Sequence, residues 1–268
     1  MPTQLINDIT YHYQTAGTGT PVVLLHGFTG SSTNWRGLMG QLAADYRVVA
    51  VDILGHGQTA VFPHPHRYTM PHAAADLAAL LQTLNATPCH LLGYSMGGRL
   101  ALYFAVHYPQ LLRSLILESS SPGLATAAER ESRTASDNAL ADRIERDGIE
   151  AFVDYWENIG LFASQKRLET AVRVRLRQQR LANNPTGLAN SLRGMGTGQQ
   201  PSLWGKLGQL TLPTLLIAGE LDSKYVAIGR QMAAQIPNAQ LALVPDAGHT
   251  VHLERSDQFL DLVLDWLG

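Results

Sequence analysis

The 268-residue chain is 45% hydrophobic, carries a formal net charge of −2 and contains a single cysteine, Cys89. A chain of this length can bury a large core without cross-links, and its balanced charge gives no electrostatic reason to bind nucleic acid or an anionic lipid surface. One cysteine excludes an internal disulfide framework and fits a reducing compartment. No stretch approaches 18 consecutive apolar residues, and the opening MPTQLINDITYHYQ lacks the basic and apolar regions of a signal peptide. The expectation is a cytoplasmic protein without a membrane span, a monomer or small homo-oligomer acting on a small molecule.

Residues 4–14 read as an antiparallel hairpin turning at Asn7–Asp8. Strands follow at Val22–Leu25, Val48–Asp52 and His90–Leu92, then at Leu115–Glu118, Thr214–Ala218 and Gln240–Val244. Runs such as VVLL, LILE and LLIA do not alternate with polar residues, as expected for strands covered by helices on both faces. The pattern is α/β, a mostly parallel twisted sheet flanked by helices. The gap between Glu118 and Thr214 is too long for a simple crossover, and within it residues 125–146, 148–157 and 165–182 read as helices. Asn183–Gly187 and Gly194–Gly198 read as punctuation at its end. Residues 1–122 and 206–268 are therefore expected to form the core, and 123–205 a helical cap over the carboxyl ends of the strands, where open sheets bind ligands.

Gly93-Tyr94-Ser95-Met96-Gly97 is a G-x-S-x-G that follows an apolar strand and opens the helical pattern GRLALYFAVHY. That context suits a nucleophile elbow, which lifts a serine hydroxyl above the sheet at a helix N-terminus. A serine is a weak nucleophile at neutral pH, so it needs a base, and the base needs an orienting group. Asp222 follows the strand ending at Ala218, and His249 follows the last strand in Asp246-Ala247-Gly248-His249, which gives the chain order Ser, acid, His. His252 competes for the base role but lacks the Gly-containing turn. After the strand at Val22–Leu25, His26-Gly27-Phe28 should bring the backbone N–H of Phe28 beside that of Met96 as an oxyanion hole. His26, Asp52 and His56 read as loop holders.

Together HGF, DxxGHG, GYSMGG, GExD and AGH resemble the α/β-hydrolase superfamily, over essentially the whole chain. The narrower set HGFTGSSTNW, GYSMGGRLAL, LESSSPGL with ERESR, LANNPTG and GELDSKY resembles the 2-succinyl-6-hydroxy-2,4-cyclohexadiene-1-carboxylate synthase family of menaquinone biosynthesis. That resemblance implies a lyase that eliminates pyruvate from a tricarboxylate, with Ser95 as base and neither metal nor organic cofactor. It also implies cations in the pocket: Arg99, Arg133 in ERESR with Arg130 on the same side, and Arg180 before LANNPTG. Tyr94, Trp156 and Lys224 are further contacts on the same ground. The chain's 17 arginines against 3 lysines fit this, although a bias in composition explains the ratio equally well. The motifs leave open an esterase or carbon–carbon bond hydrolase using the same triad with water. They also leave open a ligand-sensing receptor, against which the intact Ser, Asp and His argue.

Overall fold

The computed structural model describes residues 2–268. Eight strands form one sheet: β1 (Thr3–Ile6), β2 (Ile9–Ala16), β3 (Thr20–Leu25), β4 (Tyr46–Val51), β5 (Cys89–Tyr94), β6 (Leu112–Glu118), β7 (Thr214–Gly219) and β8 (Ala239–Val244). Their order is β1-β2-β4-β3-β5-β6-β7-β8; β2 runs antiparallel to β1 and β4, and the remaining pairs are parallel. The edge hairpin turns at Asn7 (φ 46°) and Asp8 (φ 67°), two residue types that tolerate the left-handed region. The uninterrupted apolar runs divide by the two-residue period of a strand. Val23, Leu25, Val49 and Val51 join the core under α2 (Met70–Thr83) and α3 (Met96–His107). Val22, Leu24, Val48 and Ala50 join the core on the opposite face, under α1 (Arg36–Leu42) and α9 (Ser256–Leu267).

Between β6 and β7 the chain forms α4 (Ala127–Trp156), a 3-10 segment (Gly160–Arg167), α5 (Thr170–Leu181) and α6 (Pro185–Met195). Thr126 caps α4 with Glu129 in a reciprocal capping box. Gly148 breaks it at φ 81°, ψ 174°, close to the boundary expected from sequence. The helix expected over 165–182 is two elements, because Leu168 and Glu169 adopt extended dihedrals. The run Asn183–Gly187, read as punctuation, starts a helix: Asn184 is the N-cap, accepting from the N–H of Gly187, and Pro185 occupies the first turn where its missing N–H costs nothing. This segment has its own apolar cluster, with Ala141, Ile144, Phe152 and Val153 packed on Leu188, Ala189 and Leu192. The last helices are α7 (Ser223–Ala233), the short α8 (Val251–Glu254) and α9. Among the described residues, no helix is long and apolar enough to cross a membrane.

Candidate active site

Ser95 sits between β5 and α3 at φ 51°, ψ −108°, a strained conformation for a residue with a side chain. The turn closes only around glycine, since a Cβ on Gly93 would strike the Gly97 carbonyl and one on Gly97 the Leu25 carbonyl. The Ser95 N–H donates to the Glu118 carbonyl at 2.9 Å, which ties the elbow to β6. Asp222 is the N-cap of α7 and accepts from the Tyr225 N–H at 3.3 Å. His249 follows β8, in a loop held by buried Glu254, which accepts from the N–H groups of Gly248 (2.8 Å) and Thr250 (3.2 Å).

These three side chains meet. His249 Nδ1 lies 2.7 Å from Asp222 Oδ2, and its Nε2 lies 3.0 Å from Ser95 Oγ. An ionised carboxylate only accepts, so Nδ1 carries the proton and the Nε2 lone pair faces the serine hydroxyl. His249 is 1% exposed, which removes water as a competitor for that hydroxyl. His252, the competing imidazole, is committed elsewhere: its Nδ1 lies 2.7 Å from Glu118 Oε2 and its N–H donates to Glu118 Oε1 at 3.0 Å.

The backbone N–H groups of Phe28 and Met96 have no partner within the described chain. The loop before Phe28 packs against the serine, as a Cβ on Gly27 would lie 3.5 Å from Ser95 Cβ. His26 holds that loop. Its Nδ1 donates to the Gly27 carbonyl at 2.7 Å and its Nε2 accepts from the Ile53 N–H at 3.0 Å, so both nitrogens are used by the neutral ring. Burial lowers its pKa, and burial takes that of neighbouring His56 to about 3.

Ser95 and His249 open onto a cavity of about 130 Å³. Phe28, Tyr94, Met96, Arg99, Arg133, Trp156 and Lys224 line it. Arg99 is 8% exposed; its Nη1 donates to the Met195 carbonyl (2.8 Å) and to Gln200 Oε1 (3.1 Å), and burial lowers its pKa to about 10. Arg133 pairs through Nε with Asp137 at 2.7 Å, and the rest of its guanidinium has no partner among the described residues. Trp156 packs edge-on to Phe28, and its buried Nε1 has no partner among the described residues. Lys224 is exposed at the rim, its ammonium 5.4 Å from the Tyr225 ring centroid. Arg130 is not part of the cavity; it donates to the Leu124 and Ala125 carbonyls.

Arg180 does not line this cavity either. It is buried one layer back, its guanidinium 5.0 Å from the centroid of the Phe162 ring, which does line it. A hydrogen-bonded chain runs from Arg180 Nη2 to Gln165 Oε1 (3.1 Å), from Gln165 Nε2 to Thr250 Oγ1 (2.8 Å), and from Thr250 to the Tyr94 hydroxyl (2.8 Å). Burial, and next the Glu118 charge, raise the Tyr94 pKa, so its hydroxyl stays protonated. Sequence reasoning missed Gln165, Gln200, Thr250 and Glu254, which belong to no motif; only Thr250, adjacent to His249, carried a positional signal. A larger groove of about 710 Å³ lies between α1, α5 and α9, but it contains none of Ser95, Asp222 and His249. Chemistry and not size selects the site. Among the described residues, no group of three or more His, Cys, Asp or Glu is arranged to hold a metal ion.

A strand–turn–helix serine, an acid and a histidine at the carboxyl ends of the parallel strands β5, β7 and β8 define the α/β-hydrolase class, and a family model for that fold matches residues 20–256. A Bacillus subtilis (strain 168) protein named provisionally as 2-succinyl-6-hydroxy-2,4-cyclohexadiene-1-carboxylate synthase is 48% identical over 246 residues, covering 92% of this chain and 89% of its own length. The Serratia proteamaculans (strain 568) protein of that name is 33% identical, with 89% of each chain covered. The solved structure of MenH from S. aureus superposes with a TM-score of 0.91 at 37% identity, covering 96% of this chain and 97% of that one. The chain therefore belongs to the α/β-hydrolase family, among its 2-succinyl-6-hydroxy-2,4-cyclohexadiene-1-carboxylate synthases.

Proposed function

We propose that the chain is a carbon–oxygen lyase of menaquinone biosynthesis. It eliminates pyruvate from 2-succinyl-5-enolpyruvyl-6-hydroxy-3-cyclohexene-1-carboxylate to give 2-succinyl-6-hydroxy-2,4-cyclohexadiene-1-carboxylate. The observation that carries this reading is a Ser–His–Asp chain opening onto a cavity lined by Arg99, a buried cation with no carboxylate partner among the described residues. A substrate with three carboxylates is one that such a cation would recognise.

In this reading His249, oriented by Asp222, takes the Ser95 proton as Ser95 Oγ removes the ring proton alpha to the succinyl ketone. The C–H electrons move onto the ketone oxygen, and the N–H groups of Phe28 and Met96 stabilise that enolate. The electrons return through the ring double bond and break the C–O bond to the enolpyruvyl group. That group leaves as the enolate of pyruvate and takes its proton from His249. No water is consumed, no bond to Ser95 forms, and the chemistry calls for neither metal nor organic cofactor. Arg99, Arg133 and Arg180 supply positive charge to the carboxylates, and Tyr94, Trp156 and Lys224 supply further contacts. Residues 123–205 act as a cap that excludes water. The protein works in the cytoplasm as a monomer or small homo-oligomer.

An esterase or carbon–carbon bond hydrolase would use the same triad with water; the uncompensated cations favour the polycarboxylate substrate. Incubation with the enolpyruvyl substrate and a coupled pyruvate assay tests the reading. The wild-type enzyme is expected to release pyruvate, and Ser95→Ala to lower kcat roughly a thousandfold or more. Near-full turnover by Ser95→Ala would remove Ser95 from the mechanism.

A further inference from the structure

Two arginines are buried among the described residues, Arg99 and Arg180, and neither forms an ion pair. More exposed arginines take carboxylates: Arg67 pairs with Asp76, Arg177 with Asp154 and Glu157, and Arg193 with Asp142 and Glu145. The buried two are held by glutamines that are themselves buried. Arg99 donates to Gln200 Oε1 and Arg180 to Gln165 Oε1, each at 3.1 Å, and Arg180 Nε has no partner among the described residues. A cation stripped of water is costly to leave unpaired, and a carboxylate would compensate it best. An amide oxygen supplies a hydrogen bond without supplying charge.

Neither amide can be turned over freely. Gln200 Nε2 donates to the Ser121 carbonyl at 3.2 Å, and a carbonyl only accepts, so Oε1 must face Arg99. Arg180 only donates, so Gln165 Oε1 faces it and Nε2 is left to donate to Thr250 Oγ1. Arg99 lines the cavity, and Arg180 stands one ring behind it, at Phe162.

We propose that Gln165 and Gln200 are specificity-determining residues, neutral holders that fix Arg180 and Arg99 while leaving their charge available to a polyanionic substrate. The inference rests on the tricarboxylate reading of the reaction. It predicts that one charge, added without changing side-chain size, weakens recognition while the fold survives.

Q165E is the sharpest variant, because the Thr250 hydroxyl can rotate to donate to the new carboxylate. It is expected to keep or raise Tm and to raise KM for the enolpyruvyl substrate about tenfold or more, the scale of one charge-assisted contact, with a smaller change in kcat. Q165A leaves Arg180 charged and should keep KM within about threefold. Q200E should raise KM in the same direction with a lower Tm, since its carboxylate faces the Ser121 carbonyl. Q178E, on the exposed face of α5, controls for added charge and should match wild type. A wild-type KM in Q165E, or an equal rise in Q165A, would overturn the inference. If the wild-type enzyme releases no pyruvate, the proposed reaction fails. Calorimetry with tricarballylate then reads the arginine charge alone: about tenfold weaker binding to Q165E supports the holder role, and equal binding overturns it.

Discussion

A serine hydroxyl is too weak an acid to act at neutral pH unless a neighbour accepts its proton, and here that neighbour is fixed on both sides. Asp222 holds the Nδ1 proton of His249 at 2.7 Å and leaves Nε2 3.0 Å from Ser95. The charges that would bind substrate are less symmetrical. Arg99 is buried and lines the cavity, Arg133 reaches it from a half-exposed position, and Arg180 stands behind Phe162. Alanine at Arg99 or Arg133 is expected to lower kcat/KM by about ten- to a hundredfold, since a hydrogen bond to a charged group contributes about 1.5–3 kcal/mol, and alanine at Arg180, whose charge reaches the cavity only across Phe162, by about tenfold. Lysine should restore only part of the loss, because the planar fork is gone. Arg146 is largely exposed and bonded to Asp147, and Arg143 lies over the Tyr155 ring, so alanine at these two should change steady-state kinetics little. Losses at the controls that match the site arginines would return the arginine excess to a bias of composition.

At the scale of elements, the strands were legible because burial on both faces demands uninterrupted Val, Leu and Ile, and the elbow because only glycine fits beside Gly97 and Leu25. Helix α6 was not. Its glycines suggested a loop, yet a Cβ on Gly187 would strike the Gly55 carbonyl and one on Gly194 would press on Tyr68, so they are there for close packing. Glycine also breaks chain direction, and Gly148 does so within α4, at dihedrals essentially confined to glycine. Nothing lies within 4 Å of a Cβ built there, so Gly148→Ala meets a purely conformational penalty. It is expected to cost about 1–3 kcal/mol in denaturant unfolding, with helix content little changed. An unchanged midpoint would mean that the break is not required. The glutamine holders were invisible for a different reason: Gln200 lies 101 residues along the chain from Arg99, and Gln165 meets Arg180, 15 residues on, only because the chain turns at Leu168–Glu169 in place of the single helix expected there.

At the scale of the molecule, the parallel strands β5, β7 and β8 deliver Ser95, Asp222 and His249 to one sheet edge, and the helices between β6 and β7 supply Trp156, Arg133 and the Gln165–Arg180 pair above it. The central claim is that this assembly eliminates and does not hydrolyse. Hydrolysis of the enol ether would also release pyruvate, so the ring product decides between it and elimination. Elimination leaves a conjugated diene that has lost the ring oxygen at the enolpyruvyl position, whereas hydrolysis leaves a dihydroxy ring heavier by one water. Mass spectrometry of the ring product after a single turnover is therefore the most direct measurement. The diene is expected as the first product from the wild-type enzyme. A dihydroxy ring in its place, formed at a rate that depends on Ser95, would contradict the account.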